Sequence, residues 1–145
     1  MAIFFYKQSI LNIIILEKRK EKATVTDSEG TVSEMTANEI YDINKSNSEK
    51  FSKYYINASI EFEGTIEKVE KSYLRSSFYG NYSAIWLEEG WVVMIDQDSS
   101  EFLANTDLAE LNTGDAIKVT GKILNAFDLE GGVYVEVVEN AVELL

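Results

Sequence analysis

The sequence predicts a mainly β protein, a small five-stranded barrel preceded by an α-helix and an apolar N-terminal segment. Between residues 60 and 142, several stretches alternate apolar and polar residues with the period of a half-buried strand. Turns that contain glycine separate these stretches. Between residues 37 and 54 the apolar residues recur at helical spacing instead. The 145 residues suit one domain with a short appendage, which we divide into an N-terminal segment (1–22), a linker (23–35) and a barrel domain (36–145).

The start of the helix is marked by a capping box. Thr36 supplies a hydroxyl and Glu39, three residues later, a carboxylate. The spacing that follows predicts one helix over 37–54, with Asn44 beside its apolar stripe and bonded to backbone groups. The stripe consists of Ile40, Ile43, Asn47, Phe51 and Tyr54.

The first strand has two irregular positions. Gly64 at mid-strand predicts a sharp bend, and a change of face near Glu67 and Lys68 predicts a β-bulge. A tight turn at 88–90 joins the next two strands, a short helical connection precedes the fourth, and a turn at 128–132 precedes the fifth. The strands are expected at 60–67, 83–87, 91–96, 117–123 and from 133 toward 142.

Five strands with a bent first strand and a connection between the third and fourth are typical of an OB barrel. In such a barrel the first and fourth strands pair antiparallel and close the ring. Glu61 and Glu63 are then expected to face Lys118 and Lys122 on the outer surface.

Several segments also resemble a known family. They are Asn38-Glu39-Ile40, Lys53-Tyr54, the strand at 62–66 and, above all, the segment 108–123 with its turn and alternating strand. Over roughly residues 36–142 the chain resembles the tRNA-anti-like OB-fold proteins of bacteria. The resemblance implies an OB fold and supplies no catalytic residues. The family's name refers to its fold and does not imply RNA binding.

The composition excludes several kinds of chemistry. The chain has no Cys and no His, which removes thiolate nucleophiles, cysteine zinc sites and the commonest general base. The spacing of Asp96, Asp98, Ser100 and Asp107 is that of a calcium loop, but Glu101 stands where the loop needs glycine. We therefore expect no enzymatic activity, no cofactor and no bound metal.

Charge is distributed unevenly along the chain. The net charge is −12, yet residues 1–22 contain five basic and two acidic residues, whereas residues 23–145 contain eight basic and 23 acidic ones. Because residues 23–145 are so acidic, they repel a phosphate backbone, and nucleic acid is not the expected ligand. The preferred explanation of the excess of acidic residues is solubility. Binding of a basic partner and mimicry of nucleic-acid charge are the alternatives.

The N-terminal segment is apolar from Ile3 to Leu16 except for a few polar residues. Fourteen residues are too few for a helix that crosses a bilayer, and the basic residues follow the apolar run, unlike those of a secretory signal. We expect an element that packs on the core or on a second copy of the chain. A membrane-associated segment is the alternative, and a cytoplasmic location is favoured. Residues 23–35 are polar and indicate a linker or a loose strand.

The loop after the first strand is the candidate binding surface. It combines aromatic side chains with one arginine, the residue types favoured in protein interfaces, while Trp86 and some tyrosines could instead cap the barrel core. Asp128 and Glu130 could help hold a cationic ligand, although an ordinary turn also explains them. The predicted partner-binding residues are Tyr73, Arg75, Phe78, Tyr79, Tyr82 and Trp91.

The sequence thus favours a non-enzymatic binding module that acts through protein–protein contacts, with a basic partner. Two alternatives stay open. One is an acidic inhibitor of the phage or mobile-element type that mimics nucleic acid, and the other is a membrane-associated ligand-binding domain. The chain could also form a homo-oligomer through its apolar N-terminal segment.

Overall fold

A computed structural model describes Ile10, Ile13 and residues 17–71, 82–96 and 108–145. Within these residues the protein is mainly β, with two short helices and a short 3₁₀ turn at Leu108–Glu110. The helices are α1 (Ala37–Ser46) and α2 (Ser48–Tyr54). The strands are β1 (Ala23–Thr26), β2 (Val32–Met35), β3 (Ser59–Glu70), β4 (Tyr82–Leu87), β5 (Trp91–Asp96), β6 (Ala116–Leu129) and β7 (Gly132–Leu144).

The strands form one sheet that closes on itself. Its order is β2-β1-β3-β4-β5-β7-β6, and a further pairing of β3 with β6 completes a ring. β5 and β7 run parallel, whereas the other neighbours in the ring run antiparallel. The predicted barrel-like, mainly β fold is therefore confirmed.

The antiparallel closure of β3 on β6 agrees with the sequence prediction. Glu63 lies directly opposite Lys118, and the Lys118 ammonium is 2.9 Å from the Glu61 carboxylate. Lys122, however, lies opposite Ser59 rather than either glutamate. Lys118 therefore lies next to both predicted glutamates, with Glu63 directly across the pair of strands and Glu61 diagonally across it.

The predicted bulge is present in β3, and Gly64 of the same strand packs closely against a neighbouring turn. The β3–β4 register shifts between Ile66 and Lys68, which makes Glu67 the bulge residue. Gly64 lies where the β4–β5 turn approaches β3, because a Cβ there would be 2.8 Å from Glu89 Oε1 and 2.9 Å from Leu87 Cδ1. Glycine is therefore required for this close packing.

The predicted linker is part of the sheet. β1 and β2 form an antiparallel hairpin across residues 23–35, and β1 pairs with residues 59–61 of β3. Of the two sequence-based alternatives, a linker or a loose strand, the structure has strands. The segment pairs with β3 and also buries Ala23, Val25 and Met35 in the core.

The predicted single helix over 37–54 is wrong, because the helix breaks at Asn47. The capping box is present, with the Thr36 hydroxyl accepting a hydrogen bond from Glu39 N at 3.1 Å. Asn47 has extended backbone and its side chain accepts a hydrogen bond from Lys50 N at 3.0 Å, so it caps a second helix. Asn44 donates to the Ala126 carbonyl at 3.1 Å, as expected for a polar residue beside the stripe.

The core fills the interior of the ring. In β3 the burial alternates residue by residue, with Ile60, Phe62 and Ile66 inside. β4 and β5 are buried on both faces. Their inner face belongs to the core, and their outer face carries a second apolar group, which we call the outer cluster. The outer cluster consists of Ala84, Trp86, Val92 and Met94, with Tyr82, Leu124, Phe127, Leu129 and Tyr134 packed against them.

Candidate functional site

The predicted aromatic loop falls largely in residues 72–81, outside the described residues. Tyr73, Arg75, Phe78 and Tyr79 are among them. Asp98, Ser100 and Asp107 of the calcium-like spacing fall in residues 97–107, which are also outside the described residues. Two predicted partner-binding residues can be placed. Tyr82 is half-buried and packs against the outer cluster, and Trp91 lies in the core.

Trp91 has no exposed area with which to contact a partner. Its side chain is 0% exposed and stacks on Phe62, with the ring centroids 4.9 Å apart. The hairpin register explains this position. Trp86 lies opposite Val92, so Trp91 points to the other face of the sheet. The two tryptophans therefore belong to different clusters, a separation that composition alone does not reveal.

The outer face carries a cleft of about 250 Å³ beside Trp86, which we call the aromatic–acidic cleft. It forms where the bulged end of β3, strand β4 and the β6–β7 turn meet. Its volume lies just below that of most small-molecule sites, so it suits one side chain of a partner. The cleft is lined by Glu67, Lys68, Trp86, Leu129, Glu130, Gly132 and Tyr134.

Two aromatic rings form the apolar part of the cleft. Trp86 and Tyr134 meet edge to face, with centroids 5.0 Å apart and an interplanar angle of 86°, an arrangement that the ring quadrupoles favour. The Trp86 indole N–H donates to Glu70 Oε2 at 2.7 Å. This hydrogen bond fixes the indole plane and holds a third carboxylate next to the cleft.

Each ring carries a cation from the same chain. The bulge in β3 sets Lys68 opposite Trp86, and the Lys68 ammonium lies 4.8 Å from the Trp86 ring centroid. The Arg19 guanidinium lies 4.8 Å from the Tyr134 centroid and donates to the Val133 carbonyl. Both distances are those of cation–π contacts, so these rings already select positive charge.

The β6–β7 turn supplies the acidic rim. Leu129 pairs with Gly132, and the two turn residues, Glu130 and Gly131, have φ of +52° and +81°, as in a type I′ hairpin turn. A Cβ on Gly132 would be 3.1 Å from the Tyr134 ring, so glycine lets that ring lie against the turn.

A second cleft, of about 230 Å³, surrounds the buried carboxylate of Glu89. Glu89 is 2% exposed, and its side chain accepts a hydrogen bond from Thr65 N at 2.8 Å. Lys18 donates to Thr65 Oγ1 at 3.0 Å and lies 4.0 Å from Glu89 Oε2. Burial raises the pKa of Glu89, while the Thr65 hydrogen bond and Lys18 lower it. This cluster holds the β4–β5 turn and residues 17–22 against β3.

The comparisons and the described residues add little that identifies a function. No protein-family model matches the chain, and no curated protein matches it in sequence. The described part of the chain has no group of three or more acidic side chains placed to hold a metal ion. Within the same residues, no helix has the length and apolar character needed to cross a membrane.

Proposed function

We propose that this protein is a non-enzymatic binding module of the OB type, and that it recognises a protein partner with a basic surface at the aromatic–acidic cleft. The strand connectivity supports the fold part of the proposal. The ring β3-β4-β5-β7-β6, with its parallel β5–β7 pair and its closure of β3 on β6, has the strand order of a five-stranded OB barrel.

The position of the cleft is the observation that carries the functional part. OB folds bind their ligands on the face of the second and third strands, flanked by the loops after the first and fourth. Here Trp86 comes from the second strand of the ring, Glu67 and Lys68 from the end of the first, and Glu130 from the turn after the fourth. This match with the binding position of OB folds supports the cleft as the recognition site.

The chemistry of the cleft supports a basic partner. Carboxylates of Glu67, Glu70 and Glu130 surround two aromatic rings that attract cations. The net charge of −12 gives the attraction a long range and speeds encounter with a positive surface. The same charge disfavours single-stranded nucleic acid, whose backbone needs neutralising by basic residues.

Charge reversal tests the proposal with a probe peptide of alternating glycine and arginine. The exposed pair Glu67→Lys and Glu130→Lys is expected to weaken binding of the peptide to the full-length protein at least about tenfold, by fluorescence anisotropy. The control pair, Glu29→Lys and Glu110→Lys, changes the net charge equally outside the cleft and is expected to change affinity less than about threefold. Equal affinity for the two double variants and the wild type contradicts the proposal.

Mimicry of nucleic-acid charge is the second candidate function, and the charge of −12 favours it. A mimic binds through its whole acidic surface, so both double variants are then expected to lose affinity for a basic nucleic-acid-binding protein to similar extents. Loss confined to the cleft pair favours the cleft. Measuring the affinity of both double variants at 50 mM and 300 mM salt separates the two functions. Salt is expected to weaken binding by a diffuse acidic surface more than binding at a local cleft.

A further inference from the structure

We propose that the group recognised in the aromatic–acidic cleft is one arginine side chain of the partner, and that Lys68 occupies its position until the partner binds. This inference rests on the proposed function and names the ligand of the same cleft. In this inference Lys68 competes with the partner, whose guanidinium displaces the Lys68 ammonium from the ring of Trp86.

The contacts of Lys68 suit a displaceable group. Its side chain is exposed, and its ammonium lies over the Trp86 ring at 4.8 Å. An exposed cation–π contact of this kind contributes only about 0.5–1 kcal/mol. Trp86 lines the cleft, so the ring over which the Lys68 ammonium lies borders the space that a partner's side chain would enter.

A guanidinium fits the cleft better than a second ammonium does. Arginine is planar, more weakly hydrated than lysine and able to stack on a ring while its edge donates several hydrogen bonds. The carboxylates of Glu67 and Glu130 line the same cleft and can accept those hydrogen bonds. Lysine, a compact and strongly hydrated charge, gains less from such a setting.

Tyr134, a ring of the outer cluster, already binds one arginine in this way. Arg19 stacks on Tyr134 at 4.8 Å and at the same time donates to the Val133 carbonyl. The protein thus combines an aromatic face with an oxygen acceptor for its own guanidinium, on the ring adjacent to Trp86. We infer that Trp86, with carboxylates in place of a carbonyl, offers the same combination to an outside arginine.

Proton NMR of the full-length protein tests the displacement directly. The Trp86 ring current shifts the ε-methylene resonances of Lys68 upfield, and addition of the peptide Gly-Arg-Gly-Arg-Gly is expected to return them to the positions of a free lysine. Lys53 is the internal control, because its ammonium lies 5.0 Å from the Tyr54 ring on α2. The Lys53 resonances are expected to stay unchanged.

Affinity measurements give a second, independent readout. Lys68→Gln is expected to bind the arginine peptide about three to ten times more tightly than the wild type, since the competitor is gone. Lys53→Gln removes the same charge and an equivalent ring contact, and is expected to bind like the wild type. A peptide with lysine, or with the neutral isostere citrulline, in place of arginine is expected to bind more weakly.

The outcomes separate this inference from the proposed function. If the arginine peptide binds but the Lys68 resonances do not move, or Lys68→Gln binds no more tightly, Lys68 is not a competitor and the binding module stands. Equal affinity for the lysine or citrulline peptide overturns the assignment of a guanidinium. If neither the wild type nor Lys68→Gln binds any of the basic peptides, the proposed function fails together with the inference.

Discussion

Glu130 keeps a carboxylate at a backbone position that suits other residues better. Its φ of +52° is in the left-handed region, which disfavours most side chains by about 1 kcal/mol but which asparagine tolerates. We expect Glu130→Asn to raise the free energy of unfolding by about 0.5–1 kcal/mol and to weaken binding of the arginine peptide. Urea unfolding measures the first effect and fluorescence anisotropy the second.

Glu130→Gln is the matched control, because it removes the same charge without the left-handed preference of asparagine. Its stability is expected to lie closer to that of the wild type. Equal stabilisation by the two substitutions would show that charge repulsion, rather than backbone strain, accounts for the gain. An increase in stability at the expense of binding is the pattern expected where strain is kept at a functional position.

Glu89 gives the stability a dependence on pH whose sign follows from its burial. Desolvation raises the pKa of Glu89 in the folded state. The pH window of interest runs from the ordinary glutamate pKa of about 4.3 to this raised pKa. Within it the folded protein binds more protons than the unfolded chain. Stability therefore falls as pH rises through this window. Glu89→Gln does not titrate, and the stability of the wild type relative to this variant is expected to decrease from pH 4 to pH 7.

Urea unfolding of both proteins at several pH values measures this difference. Glu29→Gln, an exposed substitution with the same change of charge, serves as the control and corrects for the general effect of net charge on stability. A wild type that becomes more stable relative to Glu89→Gln as pH rises would mean that the hydrogen bond from Thr65 and the Lys18 pair outweigh burial.

At the scale of residues, the sequence predicts the local structure around a side chain better than the distant side chains that it contacts. The carboxylate of Glu130 was expected at a turn, and the bulge was expected near Lys68. The contact between Lys68 and Trp86 depends on the register of β3 against β4, to which Glu67 adds one residue. The burial of Glu89 depends on its close approach to Gly64, and no local pattern encodes that approach.

Among the elements, the break between α1 and α2 depends on Asn47. Its amide side chain caps α2, while its own N–H donates to the Ile43 carbonyl at the end of α1 at 2.9 Å. We expect Asn47→Ala to lower the free energy of unfolding by about 1 kcal/mol, because Lys50 N loses its acceptor. Urea unfolding of Ser46→Ala, a neighbouring exposed substitution, is the comparison. Equal stability of the two variants would show that packing alone sets the break.

The elements also show where periodicity misleads. The apolar stripe continues through Asn47 at helical spacing, since Ile40 and Phe51 both reach the core, and a single helix was the natural prediction. What the pattern omits is that an asparagine can cap as well as continue a helix. The β1–β2 hairpin is a second case, because β1 has only four residues and its alternation, with Ala23 and Val25 buried, is too short to stand out in the sequence.

For the whole molecule, the closed ring and the attached hairpin are expected to differ in stability. Phe62 and Val119 pair within the ring, whereas β2 is an end strand of the sheet in which only Met35 is buried. Native-state hydrogen exchange is expected to be at least about 100-fold slower at the paired ring amides than in the β1–β2 hairpin. Equal protection would show that hairpin and ring unfold as one unit.

Much of the architecture could be predicted at this scale because closure has a local signature. A mid-strand glycine and a bulge in β3, alternating apolar and polar residues in β6 and turns of suitable length are all visible in the sequence. The second apolar face of β4 and β5 was harder to predict. A strand buried on both faces has no alternation, so the sequence does not indicate which face Trp86 and Trp91 take, and in the structure the sheet lies between them.

Closure of the ring also bears on how fast the protein folds. Ile60 pairs with Gly121, so the first strand of the ring must wait for a distant part of the chain, and topologies of this kind fold in milliseconds to seconds. The chain contains no proline and hence no slow X–Pro isomerisation. Stopped-flow refolding from urea is therefore expected to show one exponential phase without a tail lasting minutes. Its rate would report the time that the chain needs to close the ring by pairing β3 with β6.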